Sequence, residues 1–548
     1  MINGKDILAL GWPAGKVIGL GLETARVLES RGISRDDILA ELEDVRQDPG
    51  AALERESDGP MTELAREWVR IEAAEAGASE DELRAEPLPY HAWGEADVDD
   101  AARLQMETAL RLPVAAGGAL MADAHVGYGL PIGGVLAVRE AVIPWAVGLD
   151  IACRLRLSVF ELSSQMLGQK KNELKRALED ETFFGAGVSH DGHSSHEVLD
   201  DPAWGATRFL RGLKDTARVQ LGTSGSGNHF VEFGAFTVPE DLQKEKARIL
   251  APLDPGRSYL ALLSHSGSRG VGNKIATRYS KIAEERRSGL EGEAKKLAWL
   301  ELSSEEGQEY WLSMRLAGRF AAANHAVIHD RLARRIGTEA AFVTEHHHNF
   351  AFTEQWRREE MIVHRKGATP AGMGVLGIMP GTMADTGYLT LGLGVEDSVN
   401  SASHGAGRRM SRTRAFKELD GAAWREDLQE KGITLLGGAL DEAPAAYKDV
   451  DGVMAAQADL VEAVGEFSPR IVRMDAGSKK NRRSGTGEGL TLPRYRACQH
   501  FSTPLAAALS TSACACVSVF HTRSQAPWQR LLGLIYCRKH DQREPLSN

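Results

Sequence analysis

The sequence predicts an α+β fold: one large mixed α/β body at residues 96–475, a helical extension at 1–95 and a basic tail at 476–548. Three observations predict it. Apolar residues recur at helical spacing through the first ninety positions. From about residue 100, strand-like apolar runs alternate with Gly-rich turns and helical stretches. Beyond about residue 475 periodicity weakens and the charge changes sign. The alternation has no regular βαβ repeat, so neither a doubly wound parallel sheet nor a (β/α)8 barrel is expected.

Taken in order, Leu22–Leu28, Ile38–Val45 and Leu64–Ile71 carry the helical spacing of the extension, which is acidic and holds no cluster of reactive side chains. In the body, Leu136–Val142, Leu155–Phe160 and Tyr259–Leu263 read as strands, and Thr277–Gly337 as a long, largely helical hairpin packed on them. The tail from residue 475 holds eleven Lys/Arg against four acids, whereas the whole chain of 548 residues has a net charge of −11. It is expected to be poorly ordered or to fold back on the acidic body.

Composition narrows the function. The chain is 43% hydrophobic and 26% charged, which suits a globular core. Its acidity argues against a surface coated in nucleic acid, but a local basic groove needs only a few Arg and Lys. No apolar run reaches 18 residues and Met1–Lys16 does not read as a signal peptide, so no membrane partner is expected. Five cysteines do not form a paired disulfide framework, which makes a reduced cytoplasm the simplest setting. No Walker-type G-x-x-x-x-G-K-[ST] loop is present.

Two groups of residues can carry chemistry. The first is Asp150 and Cys153 at the end of an apolar strand, with His229, His265 and His348, each flanked by small or amide residues. A lone buried cysteine is usually a small hydrophobe and a lone histidine a structural group. Together the five make a mixed S/N/O donor set that suits Mn, Fe, Co or Zn rather than Ca or Mg. His346 and His347 read as neighbours of His348 rather than donors. The second group pairs glycine turns with cations: His364-Arg365-Lys366-Gly367, Met379-Pro380-Gly381-Thr382-Met383, and Ser403-His404-Gly405-Ala406-Gly407-Arg408-Arg409 followed by Arg412. A histidine with a free ring nitrogen beside glycine amides and arginines can act as a nucleophile toward phosphorus. The plainer reading is a Gly-rich loop with a solvated basic face. In the tail, Cys498, Cys514, Cys516 and Cys537 lack zinc-ribbon spacing.

The run from Met121 to Gly134, Met-Ala-Asp-Ala-His-Val-Gly-Tyr-Gly-Leu-Pro-Ile-Gly-Gly, precedes these motifs in an order that resembles the RtcB family. These are GTP- and manganese-dependent RNA-splicing ligases. The resemblance covers roughly residues 100–475 through at least seven motifs. It implies that Asp150, Cys153, His229, His265 and His348 bind two manganese ions bridged by the cysteine, and that GTP guanylylates the catalytic His404. It further implies that Asn228, His229, Phe230, Val231, Glu232, His348, Asn349, Pro380, Gly381, Thr382, Met383, Gly387, His404, Gly405, Ala406 and Gly407 lie in the stretches that hold the guanylate. Glu442-Ala443-Pro444 and Ala446-Tyr447-Lys448 match a further family run.

The implied reaction joins RNA 3′-phosphate or 2′,3′-cyclic phosphate ends to 5′-hydroxyl ends, as in tRNA splicing or RNA repair. GTP, RNA and an activating protein factor are the implied partners. Arg269, Arg365, Lys366, Arg408 and Arg412 are expected to contact RNA phosphates. Alternatives are a 3′-phosphate capping or repair enzyme of the same family, or a non-catalytic RNA-binding relative. Three departures mark a divergent branch. Arg154 follows Cys153 where the family has Gly, and Gly387 stands where it commonly has Ser. Pro469–Asp475 lacks the family's nucleotide-contacting Lys-Gly, for which Arg473, Lys479 or Lys480 are candidate replacements.

Overall fold

Residues 2–13, 15–55, 59–189 and 194–477 are described by the computed structural model. All belong to one compact unit, Met1–Thr486. The basic tail, its cysteines, Lys479 and Lys480 lie outside the described residues.

The strands are β1 (His91–Ala92), β2 (Ala115–His125), β3 (Ile132–Val138), β4 (Ala141–Val142), β5 (Arg154–Ser163), β6 (Phe230–Thr237), β7 (Ser258–Ser266), β8 (Leu300–Glu301), β9 (Ala340–His347), β10 (Asn349–Trp356), β11 (Glu359–Lys366), β12 (Ala368–Pro370), β13 (Leu376–Met379), β14 (Gly387–Gly392), β15 (Ser401–Ser403), β16 (Thr434–Leu436) and β17 (Val461–Met474). Two large sheets result, ordered β1-β2-β3-β11-β10 and β13-β14-β17-β6-β7-β5-β9, with β16 added to β17. The larger sheet curls on itself. Ile378 of β13, near one end of the order, donates its N–H to the His346 ring of β9 at the other end (2.8 Å).

Alternation along the strands sorts side chains between the faces of this curled sheet. Leu155, Leu157 and Val159 of β5 meet Phe236, Ile378, Leu389 and Phe467 in its interior. Phe160, Phe233 and Leu262 face outward against helices Lys171–Glu181 and Glu305–Ile336. The latter is the longest helix, capped by Ser304, whose hydroxyl accepts from the Gly307 N–H, and ended by Gly337 in the left-handed region. It also enters the largest apolar cluster through Tyr310, Met314 and Phe320.

The α+β expectation holds, with local differences. The expected strand Leu136–Val142 is broken into β3 and β4, because Glu140 adopts a positive φ of 47° and turns the chain. Thr277–Gly337 comprises the end of helix Arg269–Arg286 and all of helix Glu305–Ile336, which pack together as the expected long hairpin, joined through a 3-10 turn and β8. Among its described residues the extension forms five helices ending at Glu80, with their own core around Ile7, Trp12, Ile38, Leu42, Leu64 and Trp68. His91–Ala92, inside the stretch read as extension, already pairs with β2 of the body. Among the described residues no helix is long and apolar enough to cross a membrane.

Candidate active site

Strand direction explains why four distant segments meet. β5 runs antiparallel to β7 and β9, and β6 antiparallel to β7. The starts of β5 and β6 therefore share a rim with the ends of β7 and β9. Cys153 precedes β5, His229 precedes β6, His265 sits near the end of β7 and His348 follows β9. Asp150 joins them through the turn before β5. Ala152 in that turn holds a left-handed φ of 56°, a cost of roughly 1–2 kcal/mol. Its N–H donates to the Asn349 carbonyl (2.7 Å), and the Cys153 N–H to the Asp150 carbonyl (3.1 Å), which help hold the turn.

All five sequence-predicted donors converge. Cys153 Sγ is 3.1 Å from His265 Nε2 and 3.4 Å from His229 Nε2. His229 Nε2 is 2.8 Å from Asp150 Oδ2, and His265 Nε2 is 3.2 Å from His348 Nε2. The donors form two groups, Cys153 with His265 and His348, and Asp150 with Cys153 and His229; within each, the donor atoms lie within 4.8 Å of one another. Cys153 is common to both.

The donor chemistry fits divalent ions. His229 Nδ1 donates to the Ser224 carbonyl (2.7 Å) and His265 Nδ1 to the Asn228 carbonyl (3.1 Å). His229 Nε2 faces the Cys153 sulfur and the Asp150 carboxylate, and His265 Nε2 faces the same sulfur and His348 Nε2, an arrangement that a cation between them stabilises. Burial, then neighbouring histidines, pulls His265 and His348 well below the usual imidazole range, so both are neutral. Burial pushes the Asp150 carboxyl up, but His229 and Arg269 outweigh it and hold it at about 2. Burial and Asp150 push the Cys153 thiol well up.

Behind this rim a hydrogen-bond chain supports β7. His325 Nε2 donates to the Ser266 carbonyl (3.2 Å), leaving Nδ1 to accept from Ser264 Oγ (2.6 Å). Ser264 Oγ then accepts from His329 Nε2 (2.7 Å), and His329 Nδ1 accepts from Ser158 Oγ (2.8 Å). One carbonyl thus sets the tautomer of both rings, and burial keeps both neutral. These rings are fully engaged in structure, so they compete for no ion.

His404 follows β15, with its ring centroid 4.9 Å from that of His348. Asp123 of β2, fully buried, accepts from both the His404 N–H (3.1 Å) and Nδ1–H (2.6 Å) through Oδ2. This fixes the tautomer and leaves Nε2 with a free lone pair. Gly367 allows the close approach: at φ +61°, a Cβ there would stand 3.0 Å from His404 Cε1 and 2.3 Å from Ile132. Asp123 was not singled out from the sequence as a site residue. An acid inside the otherwise apolar run of β2 was the available signal.

A cleft of about 780 Å³ contains these groups. Asn228, Phe230, Glu232, Asn349, Pro380 to Met383 and His404 to Gly407 line it. Three predicted residues stand behind the lining. Val231 points into the outer core, and His229 reaches the centre only through its ring. Gly387 packs under the Pro380 turn, where a Cβ would lie 3.1 Å from the Met379 carbonyl. Glu232 has no side-chain partner among the described residues, and burial pushes its carboxyl well above the usual range.

The predicted phosphate contacts need correction. Arg365 is fully buried, because β11 lies inside the sheet between β3 and β10. Its guanidinium binds Glu354 in a fork (2.5 and 2.9 Å) and Ser401 Oγ (2.8 Å). Arg365→Met is expected to lower unfolding free energy by about 1.5–3 kcal/mol, the net worth of hydrogen bonds to a charged group, because the Glu354 it leaves behind is partly exposed and can be rehydrated. A denaturant titration checks this; undiminished stability with weakened RNA binding would restore a phosphate-binding role.

Lys366 lines the cleft but donates to the Tyr128 and Trp145 carbonyls, and burial and Lys296 pull it down to about 7. Arg269 lies outside the lining, beside His229. Arg408 and Arg412 line the cleft but are tied to Glu442 and Asp441. Arg409 and Arg414, also in the lining, complete an arginine-rich wall. Arg473 cannot replace the absent lysine. Val472 and Met474 line the cleft, while Arg473 lies over the Phe184 ring, 6.0 Å from its centroid.

A family model described as tRNA-splicing ligase RtcB matches residues 105–210 and 205–475. RNA-splicing ligase RtcB of Escherichia coli (strain K12) is 32% identical over 417 residues, covering 70% of this chain and 96% of that protein. tRNA-splicing ligase RtcB of Thermococcus kodakarensis is 31% identical over 401 residues, 61% of this chain and 82% of that protein. Its namesake in Archaeoglobus fulgidus is 30% identical over 425 residues, 65% and 85% respectively.

Proposed function

Because this chain belongs to the RtcB family of tRNA-splicing ligases, we propose that it is an RNA ligase that consumes GTP, uses manganese and works through a guanylate on His404. The carrying observation is the Asp123–His404 pair. Its Nδ1–H is committed to a buried carboxylate, and its ring stands beside His348 in the cleft of the metal donors.

In this reading, His404 Nε2 attacks the α-phosphorus of GTP. A P–N bond forms, the bond to the β-phosphate oxygen breaks, and pyrophosphate carries away the electron pair. The ring gains positive charge as it bonds phosphorus, and the Asp123 carboxylate offsets that charge. Manganese ions, held by Asp150, Cys153, His229, His265 and His348, would supply positive charge against the phosphate oxygens.

The guanylate then passes to an RNA 3′-phosphate, freeing His404. A 2′,3′-cyclic phosphate is first hydrolysed to that 3′-phosphate. The 5′-hydroxyl oxygen attacks the activated phosphorus, its proton leaves, and GMP departs. The Gly405–Gly407 turn, Arg409 and Arg414 line the cleft, and in this reading their N–H groups donate to these phosphates.

The test uses full-length protein, manganese, α-labelled GTP and RNA bearing a 3′-phosphate. Expected are a guanylate mapped to His404 by mass spectrometry and a joined product when a 5′-hydroxyl strand is supplied. Product stopping at a guanylylated 3′ end with both strands present would favour capping. RNA binding without any adduct would favour the non-catalytic relative.

A further inference from the structure

The loop joining β2 to β3 has a property that the guanylate chemistry leaves unused. Val126 and Tyr128 are 50% and 65% exposed, and both line the cleft that contains His404. Their loop is nevertheless tightly held. The buried Gln105 clamps Gly127 with both ends of its amide: Nε2–H donates to the Gly127 carbonyl (2.7 Å) and Oε1 accepts from its N–H (2.9 Å). Lys366 ties the Tyr128 carbonyl to that of Trp145. Gly129 rests directly on a neighbouring turn: at φ +72°, a Cβ there would lie 2.8 Å from the Lys296 carbonyl.

The Tyr128 ring is set beside Trp145, with centroids 6.1 Å apart and planes tilted 38°. Lys296 Nζ lies 5.9 Å from its centre. An apolar ring left in water on a loose loop tends to fold back; this one is presented to the cleft by a fixed backbone. A pre-ordered, exposed aromatic accepts any base on its π face and saves the cost of ordering at binding.

We propose that Tyr128, supported by Trp145, is the platform on which a terminal nucleobase of the RNA stacks as that strand enters the cleft. This rests on the reading of the cleft as the RNA-joining site. The 3′-phosphate strand and the 5′-hydroxyl strand each end in such a base, and both are arms of the test.

One RNA carries 2-aminopurine as its last nucleotide before a 3′-phosphate, the other as its first nucleotide after a 5′-hydroxyl. Each is titrated with full-length protein and manganese. Stacking is expected to quench the fluorescence of one of them and so identify the strand. Tyr128→Ala is expected to lose that quench and weaken binding of the same strand about tenfold, whereas Tyr128→Phe stays within about twofold of wild type. Wild-type binding of both strands without quench, or an undiminished quench in Tyr128→Ala, overturns the platform. Label transfer from α-labelled GTP to wild type, run alongside, separates the failures. An adduct with unquenched RNA refutes the platform alone; no adduct and no RNA binding removes the underlying reading and the platform with it.

Discussion

His404→Ala is expected to leave no nucleotide on the protein after incubation with α-labelled GTP and manganese. Asp123→Asn should leave the same adduct but form it about 10³- to 10⁴-fold more slowly. The first follows from bonding: His404 is the histidine in the cleft whose Nδ1 is pinned to a buried carboxylate. The second follows from charge. Asparagine fills the space of Asp123 but brings an N–H₂ group where Oδ2 accepts two hydrogen bonds. The same exchange in hydrolase triads costs about 10⁴ in rate, through the wrong tautomer and a lost counter-charge. Initial rates of label transfer measure both. Label retained by His404→Ala would move the nucleophile elsewhere, and an Asp123→Asn rate within threefold of wild type would reduce Asp123 to a structural role.

Cys153→Ala is expected to remove both ion positions at once. Its sulfur is the donor shared by the two groups, whereas Asp150 belongs to one and His348 to the other. Metal affinity should fall by more than about 100-fold at both positions, beyond what loss of a supporting contact produces. Asp150→Ala and His348→Ala should each spare one position better than the other. Metal content after gel filtration gives the answer, and two ions retained per chain in Cys153→Ala would exclude sulfur as a bridge.

The pH dependence has a definite sign. Asp150 is ionised and His265 and His348 are neutral at pH 7, but the buried thiol holds its proton without an ion. Binding must expel that proton, so apparent metal affinity rises with pH, up to the raised value of the thiol. Proton release seen by calorimetry in buffers of different ionisation enthalpy tests this directly.

The donor set was legible because each donor sits in a short run of small residues whose composition is unusual on its own. Their convergence was not, since it depends on four strands pairing antiparallel with starts and ends on one rim. Asp123 escaped notice for a related reason. It is 281 residues from His404, and its neighbours in β2 look like ordinary core. Arg365 misled because Arg and Lys beside glycine read as a phosphate grip, while only sheet order reveals that β11 is interior. Arg473 misled at closer range: one step along β17 turns its side chain away from the cleft that Met474 faces.

The shared rim of β5, β6, β7 and β9 also has a kinetic consequence. Cys153 and His265 are 112 residues apart, and His265 and His348 a further 83. No local segment can assemble the centre early, because each contact must first close a long loop. For the proposed metal centre, ion capture would then be a late event in folding, available only once the sheet has curled. An ion that binds the native chain and not its precursors deepens the final basin in proportion to the logarithm of its concentration. Metal supply would then set how long the finished enzyme lasts as well as how fast it works.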